Sequence, residues 1–402
     1  MKLIVPQRRL GPKRLLACVI AVYLIQILAI DMYAPALPSM QVELGVSPAV
    51  LNSTVFSFLI ASTVTMLLAG SISDRFGRQR TFLAGSILFT VGSFGCTVAP
   101  GVGALTAWRV VEALGMGTCA TVSSALIKDS FAGDDLKLAM TLLQSLIIIG
   151  PVAAPFLGSF AVEHVGWRGV FALLTAGGVL CCVLSALISE TYHASNATLT
   201  TAFGSMLSIA RALMGQPGFG ALALFVGITG IPFFAFIATA SYILIDGFGL
   251  SYTGYSIVYA ATCAVNLIAP AVYLKLQKRF DVPAILLICI VLVGCATALL
   301  AAFGMRSPVG LFCGFAPYAL AEGIVRPAAY LVLLDQPEER VGTASAFANF
   351  AYGAITAAAT VAATLPWPSF TLALIALTAG CAITLAALYA QGHKNWKMRS
   401  GD

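Results

Sequence analysis

The stretch LIQILAIDMYAPALP, Leu24–Pro38, decides how this chain is organised, because it places the carboxylate of Asp31 inside a long apolar run. A charged side chain inside a membrane is energetically costly, so such residues are usually retained for work on ions or substrates. Pro35 follows four residues later and has no N–H to donate to the Asp31 carbonyl, which leaves the backbone under-bonded. A carboxylate beside a freed carbonyl predicts a proton or cation site. The alternative is an acid that only hydrogen-bonds a neighbouring helix.

Composition places the whole chain in a membrane. Of its 402 residues, 59% are hydrophobic and 9% are charged, and the mean hydropathy is +0.95. Soluble domains carry about 25% charged residues, so we predict an all-α, multi-pass membrane protein. At about 20 residues per span, the length accommodates roughly twelve transmembrane helices. The net charge of +6 does not indicate nucleic-acid binding, because the basic residues lie in the segments that connect the apolar runs.

The apolar runs form six predicted spans, one long polar stretch and six further spans. The polar stretch, Glu190–Gly218, predicts an N-terminal half at 1–189 and a C-terminal half at 218–402, joined by a cytoplasmic linker at 190–217. Within the linker, Phe203–Met214 has the apolar spacing of a helix that lies on the membrane surface. Two six-helix halves are typical of transporters with a substrate site near mid-membrane. The predicted spans are 15–37, 52–72, 81–99, 103–127, 138–162, 169–189, 218–245, 254–274, 283–303, 310–334, 343–364 and 370–390.

The connecting segments differ in basic residues, and this difference predicts the orientation. With the N-terminus inside, eighteen lysines and arginines fall on the cytoplasmic side, and only Arg168 and Arg306 fall on the opposite side. Cytoplasmic loops of membrane proteins carry such an excess of basic residues. We therefore expect both termini to be cytoplasmic.

Five charged residues remain inside the predicted spans: Asp31, Arg109, Glu112, Glu322 and Arg326. Arg109 lies three residues before Glu112, so the two share one helix face, and Glu322 and Arg326, four apart, do so as well. Each pair can partly neutralise itself, which is the alternative to a binding site. Asp31 offers Arg109 a second acid, and a cation shared between two carboxylates can hold a proton on one of them. We hypothesise that Asp31 and Glu112 are coupled through Arg109.

A short basic loop, GSISDRFGRQR at Gly70–Arg80, ends the second predicted span. Gly70 allows close helix contact, Gly77 a tight turn, and Asp74 can lie near a helix N-terminus or pair with an arginine. From these residues alone, a solvated turn is the alternative. The pattern closely resembles the loop signature of the major facilitator superfamily, Gly-x-x-x-Asp-Arg-x-Gly-Arg-x-Arg. Its positions are matched by Gly70, Asp74, Arg75, Gly77, Arg78 and Arg80.

The fourth predicted span carries a second resemblance to the same superfamily. AWRVVEALGMG, Ala107–Gly117, is similar to its Arg-x-x-Gln-Gly-x-Gly element, with Arg109 and Gly115 in place. Glu112 stands where the family usually has glutamine, and Ala113 where it often has glycine. The glutamate adds an ionisable group, so the family's proton stoichiometry does not carry over to this chain.

The fifth predicted span contains IIIGPVAAPFLGSF, Ile147–Phe160, which resembles the Gly-Pro motif of the superfamily's antiporters. Gly150, Ala154 and Gly158 form a stripe of small residues that permits close packing against another helix, and Pro151 bends the span. The alternative is an ordinary kinked packing helix, and the family itself uses this motif for structure in antiporters. The motif has fewer glycines here than in the family pattern.

The run IDMYAPALP, Ile30–Pro38, narrows the resemblance to the Bcr/CflA branch of twelve-span drug:proton antiporters, named for bicyclomycin and chloramphenicol resistance. GWRGVF at Gly166–Phe171 and VGTASAF at Val341–Phe347 also resemble that branch. The resemblance covers about residues 15 to 390 and is clearest in the first half.

This resemblance implies the major facilitator fold and proton-coupled efflux of amphipathic small molecules across the bacterial inner membrane by alternating access. It assigns Asp31 as the acid tied to proton and substrate and Arg109 as the coupling arginine, and we add Glu112 to this proton-coupling set. The loop would hold the outward-facing state together. We expect a monomer in the lipid bilayer, driven by the proton gradient without a cofactor or metal. The predicted gating residues are Gly70, Asp74, Arg75, Gly77, Arg78, Arg80, Gly150, Pro151 and Gly158.

A largely apolar pocket with few polar groups suits amphipathic, drug-like molecules. Aromatic and methionine side chains near Asp31 and in the seventh predicted span can line such a pocket, with the charged pair of the tenth span. For any one of them, packing or lipid contact is the alternative. The predicted substrate-binding residues are Tyr23, Met32, Tyr33, Phe58, Phe233, Phe234, Phe236, Tyr242, Glu322 and Arg326.

Other functions stay open or are disfavoured. A dedicated exporter of an endogenous product, such as a siderophore, has the same sequence features, and a proton-coupled nutrient symporter is disfavoured by the Gly150–Pro151 motif. We predict no enzyme, because the three histidines lie at loops or ends and far apart, and the ten cysteines lie in apolar stretches without metal-ligand spacing. A channel is disfavoured because the sequence has no ring of charge or filter sequence.

Overall fold

The computed structural model describes residues 3–4, 10–191, 211–216, 218–333, 335–336, 338–393 and 396, with side chains at all of these except 147, 148, 338–343 and 346. Regular structure in these ranges is helical, without a strand. The chain divides into two compact units, Met1–Ala202 and Phe203–Asp402. Most of the predicted surface helix at Phe203–Met214 lies outside the described residues.

The first unit is built from helices, some of which have a proline in the first turn or a serine cap before it. Pro12 and Pro48 occupy the first turns of two of them, where a missing N–H costs nothing, and Ser47 accepts a hydrogen bond from the N–H of Val50. Its helices are α1 (Pro12–Asp31), α2 (Leu37–Leu44), α3 (Pro48–Phe76), α4 (Arg78–Thr97), α5 (Val102–Ser130) and α6 (Gly133–Leu187), with a 3₁₀ turn at Ala34–Ala36 between α1 and α2.

The second unit begins with a helix that is also interrupted. Its first helix stops at Thr229, and Pro232 lies in the first turn of the next one. Its helices are α7 (Phe219–Thr229), α8 (Ile231–Ser241), a π-helical turn (Tyr242–Gly247), α9 (Tyr252–Leu276), α10 (Val282–Phe303), α11 (Pro308–Leu333), α12 (Glu338–Ala363) and α13 (Phe370–Gly392).

Nine helical segments of the described chain are long and apolar enough to cross a membrane. The predicted third span is the helix α4, which is not in this set, and the predicted eleventh span contributes only the shorter apolar helix Phe347–Ala363. The fifth and sixth predicted spans lie in the two arms of α6, which is broken at Gly166 and whose apolar part is Ile149–Leu187. Twelve spans and cytoplasmic termini therefore remain a prediction. Large apolar side chains such as Phe160 are exposed along these helices, as expected for surfaces that face lipid.

Gly166 divides α6 into two arms. Its φ of 75° lies in the left-handed region that favours glycine, and it interrupts the helix between the fifth and sixth predicted spans. The next two side chains both reach Glu43 at the end of α2: the Trp167 indole N–H donates to its carboxylate at 2.7 Å, and Arg168 forms an ion pair with it. The break in α6 is thus tied to the segment that follows Asp31.

The stripe of small residues in α6 packs against α1, as the sequence predicted for some neighbouring helix. A Cβ at Gly150 would lie 2.8 Å from a side-chain carbon of Ile27, and a Cβ at Gly158 would overlap the carbonyl oxygen of Met32. Ala154, between them, is fully buried. Absence of side chains at the two glycines therefore lets α6 approach the interrupted end of α1.

We expect Gly158→Ala to lower the free energy of unfolding by about 1–3 kcal/mol, because the added methyl group must push α6 away from the Met32 carbonyl. Thermal unfolding of the purified protein in detergent measures this. Gly294→Ala in α10 is the matched control, since a Cβ there meets nothing within 4 Å. Equal thermal-unfolding midpoints for Gly158→Ala and Gly294→Ala would contradict the close packing of α6 on the Met32 carbonyl.

Candidate functional site

Asp31 is the last residue of α1 and is buried, with 3% of its surface exposed. The helix stops here because Pro35 cannot donate to the Asp31 carbonyl. The Met32 N–H still donates to Leu28, and the chain then turns through Ala34–Ala36 before α2 begins. The carboxylate therefore stands at the interruption of the first membrane helix, where the sequence predicted it.

Arg109 and Glu112 form an ion pair inside the first unit. An Nη1 hydrogen of Arg109 is donated to the Glu112 carboxylate at 2.7 Å, and the two side chains are 1% and 0% exposed. The other carboxylate oxygen accepts the Ser93 hydroxyl of α4 at 2.7 Å. Both oxygens of Glu112 thus have donors within the unit.

The guanidinium of Arg109 is enclosed by groups from other helices. Its carbon lies 3.9 Å from the ring centre of Phe58 and 4.3 Å from that of Tyr33, distances at which a cation is attracted to an aromatic face. Arg109 also donates to the carbonyl of Ala29 at 3.2 Å, two residues before Asp31. It therefore joins α5 to α1 beside the interruption. Coupling of Asp31 to Glu112 through Arg109 remains a hypothesis.

The predicted substrate residues of the first unit are buried. Tyr33 and Phe58 flank Arg109, and the Tyr33 hydroxyl is 3.4 Å from that of Thr54. Tyr23 belongs to the apolar core, and the backbone of Met32 lies against Gly158. The structure thus brings Tyr33 and Phe58 to the charge pair, and their contact with a substrate remains a prediction.

The aromatic residues predicted in the second unit separate into two groups. Phe236 stacks on Phe315 with ring centres 4.9 Å apart, and Tyr242 packs on Phe370 at 5.2 Å, so both are buried packing residues. Phe233 and Phe234 are partly exposed, and Phe234 meets the edge of Tyr352 at 6.0 Å.

Glu322 and Arg326 interact electrostatically but form no direct ion pair among the described residues, so the alternative of partial self-neutralisation stays open. Instead, the Tyr352 hydroxyl donates to one carboxylate oxygen of Glu322 at 3.0 Å, and the Asn266 amide donates to the other. The Arg326 guanidinium lies over the Tyr352 ring, 4.6 Å from its centre. A tyrosine from α12 has come between the two charges, which helix spacing alone does not reveal.

The loop Gly70–Arg80 is organised around Arg78. Its guanidinium pairs with Asp74 at 2.5 Å and with Asp129, at the end of α5, at 3.0 Å. The Arg78 N–H donates to Glu190 at 2.7 Å, and the same carboxylate oxygen accepts the N–H of Thr191 at 3.1 Å. Glu190 therefore caps the start of α4, which is an anion's preferred place on a helix.

Other loop glycines and arginines differ in their surroundings. Gly77 has a φ of 97°, and a Cβ there would overlap the Glu190 carboxylate, so glycine is required both for the turn and for the cap. Gly70 does not mediate close helix contact as expected, because the nearest atom to a Cβ is a Thr121 methyl at 3.9 Å. Arg75 and Arg80 are exposed.

Sequence reasoning missed several partners in these clusters. Two signals could have indicated them: an uncharged polar residue inside an apolar span, and an acid at the predicted cytoplasmic end of a span. The missed residues are Ser93, Asn266, Tyr352, Asp129 and Glu190.

Comparison with known proteins identifies the family. The Major Facilitator Superfamily model matches residues 19–360. The chain is 24% identical over 323 residues to the "uncharacterized MFS-type transporter YdgK" of Bacillus subtilis (strain 168), covering 79% of this chain and 80% of that one. It is 28% identical over 258 residues to "multidrug resistance protein MdtL" of Citrobacter koseri, covering 63% of this chain and 64%, just under two thirds, of that relative.

Solved structures of similar fold are also transporters. A peptide transporter POT in complex with sulfate has a TM-score of 0.77 at 15% identity, covering 98% of both chains. A D-xylose–proton symporter has a TM-score of 0.68 at 16% identity, covering 93% of this chain and 96% of that one. At such identities the likeness concerns the fold alone.

The chain therefore belongs to the Major Facilitator Superfamily. It is a multi-pass membrane transporter and not an enzyme, and it handles small molecules within a lipid bilayer.

We expect Glu112→Gln to lower the free energy of unfolding by about 3–5 kcal/mol, because it breaks the direct ion pair of the buried Arg109. Replacing both residues with leucine should cost less than this single change, since no buried charge remains. Denaturant unfolding in detergent gives both values. A double variant less stable than Glu112→Gln would contradict the assignment of a mutually dependent pair.

Glu190→Ala should loosen the start of α4, because the N–H groups of Arg78 and Gln79 lose their shared acceptor. We expect amide exchange in the first turn of α4 to quicken by about tenfold, as for the loss of a helix cap. Hydrogen–deuterium exchange with mass spectrometry measures it. Glu163→Ala, at an exposed acid of α6, is the control. Unchanged exchange in the Glu190 variant would exclude its capping role.

Proposed function

We propose that this transporter exports amphipathic small molecules, such as chloramphenicol- or bicyclomycin-like drugs, from the bacterial cytoplasm in exchange for protons. The observation that carries this proposal is the burial of Asp31 at the interruption of α1, two residues after the Ala29 carbonyl to which Arg109 of the enclosed pair donates. Acids buried within membrane spans often mark proton relays and substrate pathways. The relative named as a multidrug resistance protein supports the efflux direction.

In the proposed cycle, Asp31 takes up a proton from the outside and gives it up toward the cytoplasm when substrate binds. Arg109 lies where it can favour this release, because it reaches α1 at the Ala29 carbonyl and a cation stabilises a nearby carboxylate. Glu112 would hold the arginine in place and partly offset its charge. Burial of these groups away from water makes their mutual influence strong.

Alternating access also needs a contact that breaks and reforms. We assign this to the network of Arg78 with Asp74 and Asp129, which lies at the cytoplasmic ends of α3, α4 and α5 in the predicted orientation. Gly150, Pro151 and Gly158 of α6 would let that helix slide along α1 during the change. The protein would act as a monomer with twelve spans in two six-helix halves, both termini being cytoplasmic.

Proteoliposomes with an imposed pH gradient test the proposal. Adding chloramphenicol or another member of a broad drug panel should dissipate the gradient in the wild type, and Asp31→Asn should lower the initial rate by about tenfold or more, because the carrier group is lost. Asp134→Asn, at an acid whose side chain is 96% exposed, should leave the rate unchanged.

Each other outcome has a definite meaning. Dissipation that survives Asp31→Asn would move the proton to Glu112 or Glu322. No dissipation in the wild type with any drug would contradict multidrug efflux and favour a dedicated exporter of an endogenous product.

A further inference from the structure

A cavity of about 320 Å³ lies in the second unit, where the turn between α9 and α10 meets the end of α11. This volume is in the range of ligand-binding sites. Both α9 and α10 are long and apolar enough to cross a membrane, and the turn between two such helices lies outside the hydrocarbon layer. The cavity is therefore at the level of the lipid head groups. Its lining residues include Tyr273, Gln277, Phe280, Asp281, Val282 and Leu331.

Tyr273 lines this cavity and carries a polar group without a partner. The residue is 5% exposed, and within the described part of the chain no group hydrogen-bonds its hydroxyl. Nearly all buried polar side-chain atoms have a hydrogen-bond partner, so an exception requires an explanation. A phenol hydroxyl can donate to an anionic oxygen. A ligand with such an oxygen in the cavity would supply the missing partner.

Three basic residues border the cavity at the same turn. Lys275 lies in the last turn of α9, and Lys278 and Arg279 follow directly after Gln277. All three are exposed, and in the described ranges none of them forms an ion pair. The acid of this turn, Asp281, accepts the N–H of Ala284 at 3.1 Å and so caps α10. Three cations against one carboxylate leave the turn positively charged.

The connection between the second and third predicted spans, at the corresponding place in the first unit, is different. Its central arginine, Arg78, pairs with Asp74 and with Asp129. That cation is matched inside the protein. The cations between α9 and α10 are available for an anion from outside it.

Apolar side chains lie next to these cations. Phe280 and Leu331 line the cavity and are 44% and 43% exposed, and Leu274, beside Lys275, is 55% exposed. A small water-soluble anion would gain nothing from this apolar surface, whereas a phospholipid joins an anionic phosphodiester to acyl chains. Basic pockets between membrane helices are known places for anionic head groups. The combination of charges and apolar side chains therefore favours a lipid.

We propose that this cavity binds the head group of an anionic phospholipid, which Lys275, Lys278 and Arg279 attract and to which Tyr273 donates a hydrogen bond. Phe280 contacts the acyl chains. In the predicted orientation, the lipid belongs to the cytoplasmic leaflet. The site goes beyond the proposed efflux, because it depends neither on the transported molecule nor on protons.

Amide exchange at residues 277–282 of the purified full chain in a neutral detergent tests the site. Dioctanoyl phosphatidylglycerol, an anionic lipid, should slow this exchange by about threefold or more. Dioctanoyl phosphatidylcholine has the same acyl chains without net charge, and inorganic phosphate has charge without acyl chains. Both should leave the exchange rate within about 1.5-fold of the ligand-free rate. Equal protection by phosphate would identify a simple anion site, and equal protection by phosphatidylcholine a merely apolar one, and either result would overturn the proposal.

A pair of charge variants separates this site from general attraction to the protein. Replacing Lys278 and Arg279 together with glutamine should bring the exchange rate with phosphatidylglycerol to within about 1.5-fold of the same variant's lipid-free rate. Replacing Lys13 and Arg14, an adjacent exposed pair at the start of α1, removes the same charge and should leave the protection intact. Equal protection in the two double variants would overturn the proposal.

Two uncharged changes test the cavity itself. Val282→Phe fills it without altering charge and should abolish the protection, whereas Val291→Phe, at a 57% exposed position of α10, should not. Tyr273→Phe removes only the hydroxyl, so the phosphatidylglycerol concentration needed for half-maximal protection should rise by about threefold. Full protection in Val282→Phe, or none in the wild type, would overturn the site. An unchanged half-maximal concentration in Tyr273→Phe would overturn the role given to that hydroxyl.

Discussion

The ion pair of Arg109 and Glu112 is the interaction around which the first unit is arranged. An uncompensated charge in an apolar helix bundle is strongly destabilising, so every group near the pair must contribute to its satisfaction. Ser93 comes from α4, the Ala29 carbonyl from α1 and the Phe58 ring from α3, while the pair itself lies on α5. One buried cation therefore fixes the relative positions of four helices.

The second unit also compensates buried charges, but with a different arrangement. Its acid and arginine, Glu322 and Arg326, are also one helical turn apart, yet Tyr352 stands between them and contacts both. Hydrogen bonds from Tyr352 and Asn266 offset part of the cost of the buried carboxylate, but they do not cancel its charge. The two units therefore compensate a buried glutamate differently: the first by a direct ion pair, and the second by two hydrogen bonds with an arginine one helical turn away.

The break of α1 at Asp31 connects the surroundings of the Arg109–Glu112 pair with the packing of α6 on α1. Pro35 ends α1 at Asp31, and the carbonyl of Met32 just beyond this end lies so close to the facing helix that the residue there must lack a side chain. Gly158 of α6 is that residue, and beyond it Gly166 turns the chain so that Trp167 contacts Glu43. The resemblance to the antiporter motif, first noted from spacing, therefore corresponds to a definite contact with α1.

Sequence alone determined the helical class, the position of Asp31 before Pro35, and the pairing face of Arg109 and Glu112. These features depend on apolar length, on the geometry of proline and on spacing along one helix, all of which are local. The sequence alone did not reveal that Glu190 caps the start of α4, nor that Asn266 and Tyr352 donate hydrogen bonds to Glu322. Those contacts join residues 30 to 112 positions apart. A spacing of four residues indicates that two side chains on one helix can meet. Whether a third side chain lies between them depends on how the other helices pack, and only the tertiary structure decides that.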